Sequence, residues 1–203
     1  MRATRAFLLS SVLLFFGSLF AYGQNKSGIL LSGGAGTLDN EFVSPMTAGQ
    51  IGRSFDLEYN YDLHLGYRYR LRQNDWLFWD LDALFGIKSF RKGILTGYGS
   101  TYVTCANGDR HLNYYLALSP SANAFLYKEL YAGVGIEPTW YLYRAGDDGM
   151  GFDLPAAVKL GYDFGRFSIE GAFKMGLIRH AETNLLEKNR RKEFQLSLFI
   201  PLW

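Results

Sequence analysis

The residues of this chain that could do chemistry are few: three histidines at 64, 111 and 180, one cysteine at 105, and a set of charges placed at every second position. His64 stands between Asp62 and the acids of the next segment. His111 follows Arg110, and His180 lies beside Glu182. Nucleophilic catalysis needs a hydroxyl or thiol beside a base that a third group orients. Ser119 is too far along the same segment to serve His111, and no other set assembles from spacing alone. No His, Cys or carboxylate cluster has metal-ligand spacing, and no Gly-rich segment opens a helix to cradle phosphate. The expectation is a protein without a catalytic site, cofactor or metal.

The charges make sense only through the elements that carry them. From Phe55 to Leu71, FDLEYNYDLHLGYRYRL, apolar and polar residues alternate without interruption. Period two is the strand repeat, because successive Cβ atoms point to opposite faces of the pleat. This run is roughly three times the common strand length of about 5–6 residues, and a tilted strand needs about 9–11 to cross a bilayer. A transmembrane strand with a lipid-facing apolar side and a charged luminal side fits both features.

Ser27–Thr37, rich in glycine where the backbone is crowded or bends, reads as a first strand, and six further segments follow the alternating pattern: Trp76–Phe90, His111–Leu126, Leu130–Tyr143, Phe152–Tyr162, Phe167–Leu177 and Glu193–Trp203. Their connections alternate long and short. Short turns lie near Gln73, Lys128 and Gly165; the long loops are Leu38–Ser54, Arg91–Arg110 with Cys105, Arg144–Gly151 and Ile178–Lys192, the last with room for a helix around Ala181–Lys188. Outer-membrane barrels sort their connections in this way, with short periplasmic turns and both chain ends on the same side. The expected fold is all-β, an eight-stranded antiparallel up-and-down transmembrane β-barrel.

Its inward face carries Asp56, Glu58, Asp62, His64, Arg68, Arg70, Asp80, Asp82, Lys88, Glu137, Lys159, Glu170 and Lys174. Eight strands enclose just enough room for side chains to fill, so these charges are expected to interlock as a paired plug. Tyr67, Tyr69, Trp79, Tyr162, Phe164 and Phe167 cluster near the short turns, as an interfacial girdle does.

The ends agree with export. MRATRAFLLSSVLLFFGSLFAYGQ has a basic head, a short apolar core and a small-x-small exit, which reads as a signal peptide over residues 1–23 ahead of a barrel domain over 24–203. Of 21 basic residues against 19 acidic ones, Arg2 and Arg5 leave with the leader, so the mature chain is neutral and offers no case for nucleic acid. A lone cysteine makes no internal disulfide.

LGYRYRL, LYAGVGIEPTWYL, VKLGYDFGRFSIEGAFKMGL and the closing FQLSLFIPLW resemble the PorT-like outer-membrane β-barrel family of Gram-negative bacteria, over essentially the whole mature chain. The resemblance implies residence in the cell outer membrane, contact with its lipid and insertion by the barrel assembly machinery. It also implies that the terminal strand is the assembly signal, carried by Phe194, Leu196, Leu198, Ile200 and Leu202 with Trp203 one residue out of phase. Some members belong to secretion machinery, which allows an envelope protein partner at the external loops. Three other readings stay open: a narrow porin-like channel, a lipid A-modifying hydrolase, and a secreted lipocalin-like barrel with the apolar face inside.

Overall fold

A computed structural model of the protein describes residues 25–42, 54–98, 102–143, 151–178 and 186–202, with the side chains of 38–42, 54–60, 91–98, 102–109, 111, 143 and 186–190 outside that description. Eight strands form the wall. They are β1 (Lys26–Phe42), β2 (Ser54–Arg72), β3 (Leu77–Tyr98), β4 (Tyr102–Tyr127), β5 in two segments (Leu130–Ile136 and Thr139–Tyr143), β6 in two segments (Phe152–Asp153 and Pro155–Asp163), β7 (Ser168–Gly176) and β8 (Leu186–Pro201). Both interruptions fall beside proline, which has no N–H for the ladder. The wall stays continuous there, because Leu118 N–H donates to the Pro138 carbonyl at 3.1 Å and Glu137 N–H to that of Pro155 at 2.8 Å.

Each strand runs antiparallel to the next, and β1 pairs with β8 from Gly28↔Pro201 to Phe42↔Leu186. That last pairing closes the sheet. Closure matters because hydrocarbon offers backbone groups no hydrogen bonds, so a spanning sheet can have no free edge within it.

The faces settle which way the barrel is turned. Val158 (61% exposed), Leu196 (57%) and Leu65 (56%) point outward together with many other large apolar side chains, while Arg68, Lys88, Glu137 and Glu193 are buried inside. A lipocalin-like barrel has the opposite arrangement, so that alternative is excluded. Of the expected aromatics, Tyr67, Trp79, Tyr162, Phe164 and Phe167 are exposed near the short-turn end and Tyr69 is half-buried, with Trp76 and Tyr127 exposed beside them; Phe164 stacks on Phe167 and meets Tyr162 at a tilt, each with centroids 4.7 Å apart. The expected girdle is present at that rim.

Two luminal glycines have a packing reason. Gly86 on β3 is the cross-strand partner of Tyr115 on β4, and Gly161 on β6 is that of Tyr131 on β5. A Cβ at either glycine would run into the phenol ring of its partner. Gly86→Ala is therefore expected to cost about 1–3 kcal/mol through overpacking. Urea titration followed by loss of the compact gel form measures it, and pairing the change with Tyr115→Ala should recover part of the loss.

The external ends differ from expectation. Arg91–Arg110 is not an irregular loop but the far end of a hairpin, in which β3 and β4 stay paired from Arg91↔Arg110 out to Tyr98↔Tyr102. Cys105 accordingly sits in the ladder opposite Leu95. The segments Leu38–Ser54 and Ile178–Lys192 are also shortened, because β1 extends to Phe42 and β8 begins at Leu186. Strand replaces the expected helix over 186–188. The leader, residues 179–185 and Trp203 lie outside the described residues.

Candidate functional site

The lumen holds two clusters of charge separated by an apolar patch, all set by inward positions along β2: Asp62 and His64 above, Gly66 in the middle, Arg68 and Arg70 below. At the short-turn end Arg68 grips Asp82 with both arms of its guanidinium, Nε to Oδ1 at 2.7 Å and Nη2 to Oδ2 at 2.9 Å. It also reaches across the barrel to Glu170 on β7 at 3.1 and 3.3 Å. Arg70 pairs with Asp80 in the same two-armed way at 2.8 and 3.0 Å and lies over the Phe78 ring at 4.3 Å. Lys159 completes the set, 3.4 Å from Glu170 and 3.7 Å from Asp82. Three cations thus face three carboxylates in direct contact, with Asp163 at the rim 3.5 Å from both Arg70 and Lys26. Fork-shaped pairs of this kind are among the strongest charged contacts available to side chains.

At the level of Gly66 the lumen is filled by the buried Leu30, Leu84, Ala117 and Phe199, joined by Tyr115. The upper cluster is built differently. The Tyr115 hydroxyl donates to both oxygens of Asp62 at 2.8 and 2.9 Å and lies 3.1 Å from Nδ1 of His64. The Gln195 amide nitrogen is 3.2 Å from Nε2 of His64 and donates to the Ser197 hydroxyl at 2.7 Å. With the amide donating, Nε2 accepts and Nδ1–H points to the tyrosine oxygen. His64 thus has both nitrogens committed to Tyr115 and Gln195, and neither faces a serine.

Around this core Lys88 and Glu193 meet their partners only at longer range, while Lys174 with Glu137 and Arg191 with Asp153 are close pairs. Lys88 is 3.4 Å from Asp62 and 3.7 Å from Glu193, and Lys174 bonds Glu137 while standing 3.9 Å from Glu193. Arg191 lies 2.9 Å from Asp153, 3.6 Å from Glu193, and donates to the Tyr141 hydroxyl.

Of the expected luminal charges, Asp62, His64, Arg68, Arg70, Asp80, Asp82, Lys88, Glu137, Lys159, Glu170 and Lys174 are all buried inside. The side chains of Asp56 and Glu58 lie outside the described residues, although both positions pair with β3, opposite Lys92 and Arg91. Asp153, Arg191, Glu193, Gln195 and the hydroxyls of Tyr115 and Tyr131 belong to the same network and were not among the expected charges. Arg191 and Glu193 could have been found: continuing the alternation of the last strand, Ser197 and Gln195, back by one and two more steps reaches Glu193 and Arg191. The apolar residues of that strand, Phe194, Leu196, Ile200 and Leu202, face outward as expected, with Leu198 partly covered.

Among the described residues no group of His, Cys, Asp and Glu could hold a metal ion. The side chain of His111, and His180 altogether, lie outside the description. The arrangement can brace a barrel and block its bore.

No protein-family model matches the chain, and no curated protein matches it in sequence. Among solved structures it is similar to the attachment invasion locus protein Ail of Yersinia pestis in complex with the heparin analogue sucrose octasulfate, at 11% identity over 88% of this chain and 99% of that one, TM-score 0.44. It is similar also to Ail alone (11%, 89% and 100%, 0.41) and to the porin NanC (9%, 86% and 100%, 0.33). The fold itself rests on the strand pairing and not on these likenesses. A closed sheet of eight antiparallel strands, apolar outside, charged inside and girdled by aromatics, is a transmembrane barrel of the outer-membrane type.

Proposed function

We propose that the protein is a non-enzymatic outer-membrane component, of PorT-like kind, whose barrel is a sealed scaffold and whose external hairpins and loops engage an envelope or secretion-assembly partner. The observation that supports this best is the filled bore: the Arg68–Asp82–Glu170 contacts below and the Leu30, Leu84, Ala117 and Phe199 patch above leave side chains, not a path, along the axis. What remains for function is the outside, where the β3–β4 hairpin continues past Ile94, the last β3 residue that pairs with β2, to Tyr98↔Tyr102. Binding roles concentrate in such projections from a rigid scaffold. Membrane lipid is its solvent, and the assembly machinery would read the strand from Phe194 to Trp203.

Planar bilayer recording tests the sealed scaffold: the purified barrel is expected to be electrically silent at neutral pH, whereas discrete conductance steps would favour the narrow channel. Removing residues 94–106 tests the projecting hairpin. The shortened barrel should still fold, yet cells carrying it should behave like cells lacking the protein altogether. Full complementation by the shortened barrel would overturn the role assigned to the hairpin.

A further inference from the structure

The two edges of β4 fare differently. Along one it pairs with β3 throughout, from Leu77↔Ala124 to Tyr98↔Tyr102. Along the other it pairs with β5 only as far out as Tyr114↔Tyr143, and no described residue continues that ladder. The connection from β5 to β6 is too short to do so. Tyr141 donates its N–H to the Gly151 carbonyl at 3.2 Å, and the nine residues between them must climb and return. At about 3.3–3.6 Å per residue that carries them no further than the level of His111. From Tyr102 to Asn107 this edge of β4 therefore stands open among the described residues.

An open edge is a template for another strand. In an antiparallel ladder alternate residues turn both backbone groups to the same neighbour, so half of these residues direct theirs to β3 and the other half present a free N–H and C=O. Natural edges are blunted with proline, charge or a bulge. Tyr102–Asn107, YVTCAN, has neither proline nor charge, and its Tyr, Val and Thr favour extended backbone. The guards begin just below it, where the ladder shifts register and Gly108 and Asp109 stand between the paired Asn107 and Arg110.

We propose that this strip docks an extended, uncharged segment of another protein outside the cell, added to β4 as a further antiparallel strand. The proposal rests on the reading that the hairpin engages a partner, and specifies the means. A second copy in the same membrane does not fit. Barrels inserted alike carry β4 in the same direction, and at equal height their facing edges set N–H against N–H and C=O against C=O. Main-chain bonds supply the affinity in this mode and alternate side chains the selectivity. A partner segment of about 5–6 residues, the common strand length, covers the strip.

The test uses the capped peptide RKGILTGYG, copied from residues 91–99, whose parent strand pairs with this stretch along its other edge. Amide exchange of the 15N-labelled barrel in detergent micelles is followed by NMR. Without peptide, every second amide from Tyr102 to Asn107 should exchange fast. With it, those amides should slow saturably by about tenfold, as one added hydrogen bond each allows. A fully N-methylated copy should do nothing. Of Val103→Pro and Thr104→Pro, the one that replaces a fast-exchanging amide should abolish the effect while the amides facing β3 stay protected. No saturable slowing, equal slowing by the methylated copy, or an edge already protected without peptide, whether by a second copy or by the chain itself, would each overturn the proposal. In cells, the same proline variant should match removal of residues 94–106. If removal matters and the proline does not, the hairpin keeps its partner and the added strand is overturned; if removal has no effect, both fall.

Discussion

Replacing Arg68 with Met is expected to destabilise the folded barrel by about 3–5 kcal/mol, the usual consequence of removing one partner from a buried ionic group. Arg68 is 1% exposed and is the only described residue that contacts Asp80, Asp82 and Glu170 at once. Methionine keeps most of the length but none of the five donors, so Asp82 loses both of its short bonds and Glu170 keeps only Lys159 and the Tyr131 hydroxyl, at 3.4 and 3.2 Å. Lysine should rescue poorly, because a point charge cannot reproduce a two-armed contact with one carboxylate while also reaching another. Adding Asp82→Asn to Arg68→Met should return part of the loss by removing the stranded charge. The midpoint of urea unfolding, followed by gel migration, reads all three variants. An Arg68→Met barrel as stable as the parent would show that water, not the ion network, supports the bore.

The second large effect comes from the opposite face. Val158 is 61% exposed and stands five positions along β6 from Asp163 at the short-turn rim, so it lies roughly 13 Å up, close to the bilayer midplane. Val158→Arg is expected to cost about 2–4 kcal/mol in lipid, as arginine does at that depth. The same substitution on an exposed side chain of a water-soluble barrel costs a fraction of that. Refolding yield into phosphatidylcholine vesicles measures it, with Arg166→Ala at the rim as a control expected to be neutral. Equal yields for Val158→Arg and the parent would contradict a lipid-facing surface.

Which parts of this were legible in the sequence follows from where alternation is enforced. Between the rims one face meets hydrocarbon and the other meets the lumen, so FDLEYNYDLHLGYRYRL and its counterparts announce both strand and face. Past the outer rim both faces are wet. Alternation then loses its physical cause, while strand pairing persists. That is why GILTGY and YVTCANGD read as loop yet continue the β3–β4 ladder, and why the strand of Arg191 and Glu193 reads as beginning at Glu193. The luminal network was legible as a set of charges but not as a set of partners. Alternation gives the face of a residue and not its height, and partners such as Arg68 with Glu170, or Lys174 with Glu137, depend on how far each strand is staggered around the barrel. Tyr115 was missed as a hub for a related reason. A tyrosine among luminal polar residues becomes informative only once Gly86 is known to lie opposite, leaving room for its ring to lie over β3 and reach Asp62 on β2.

The most direct test of the closed, lipid-facing barrel is the migration of the mature chain, folded in detergent, on a denaturing gel with and without boiling. A sheet without edges resists the detergent until heated. The account predicts a faster, compact band before boiling and a single band near 20 kDa, the size expected for the chain without its leader, afterwards. Identical migration in both lanes, together with solubility of the unboiled chain in detergent-free buffer, would contradict it.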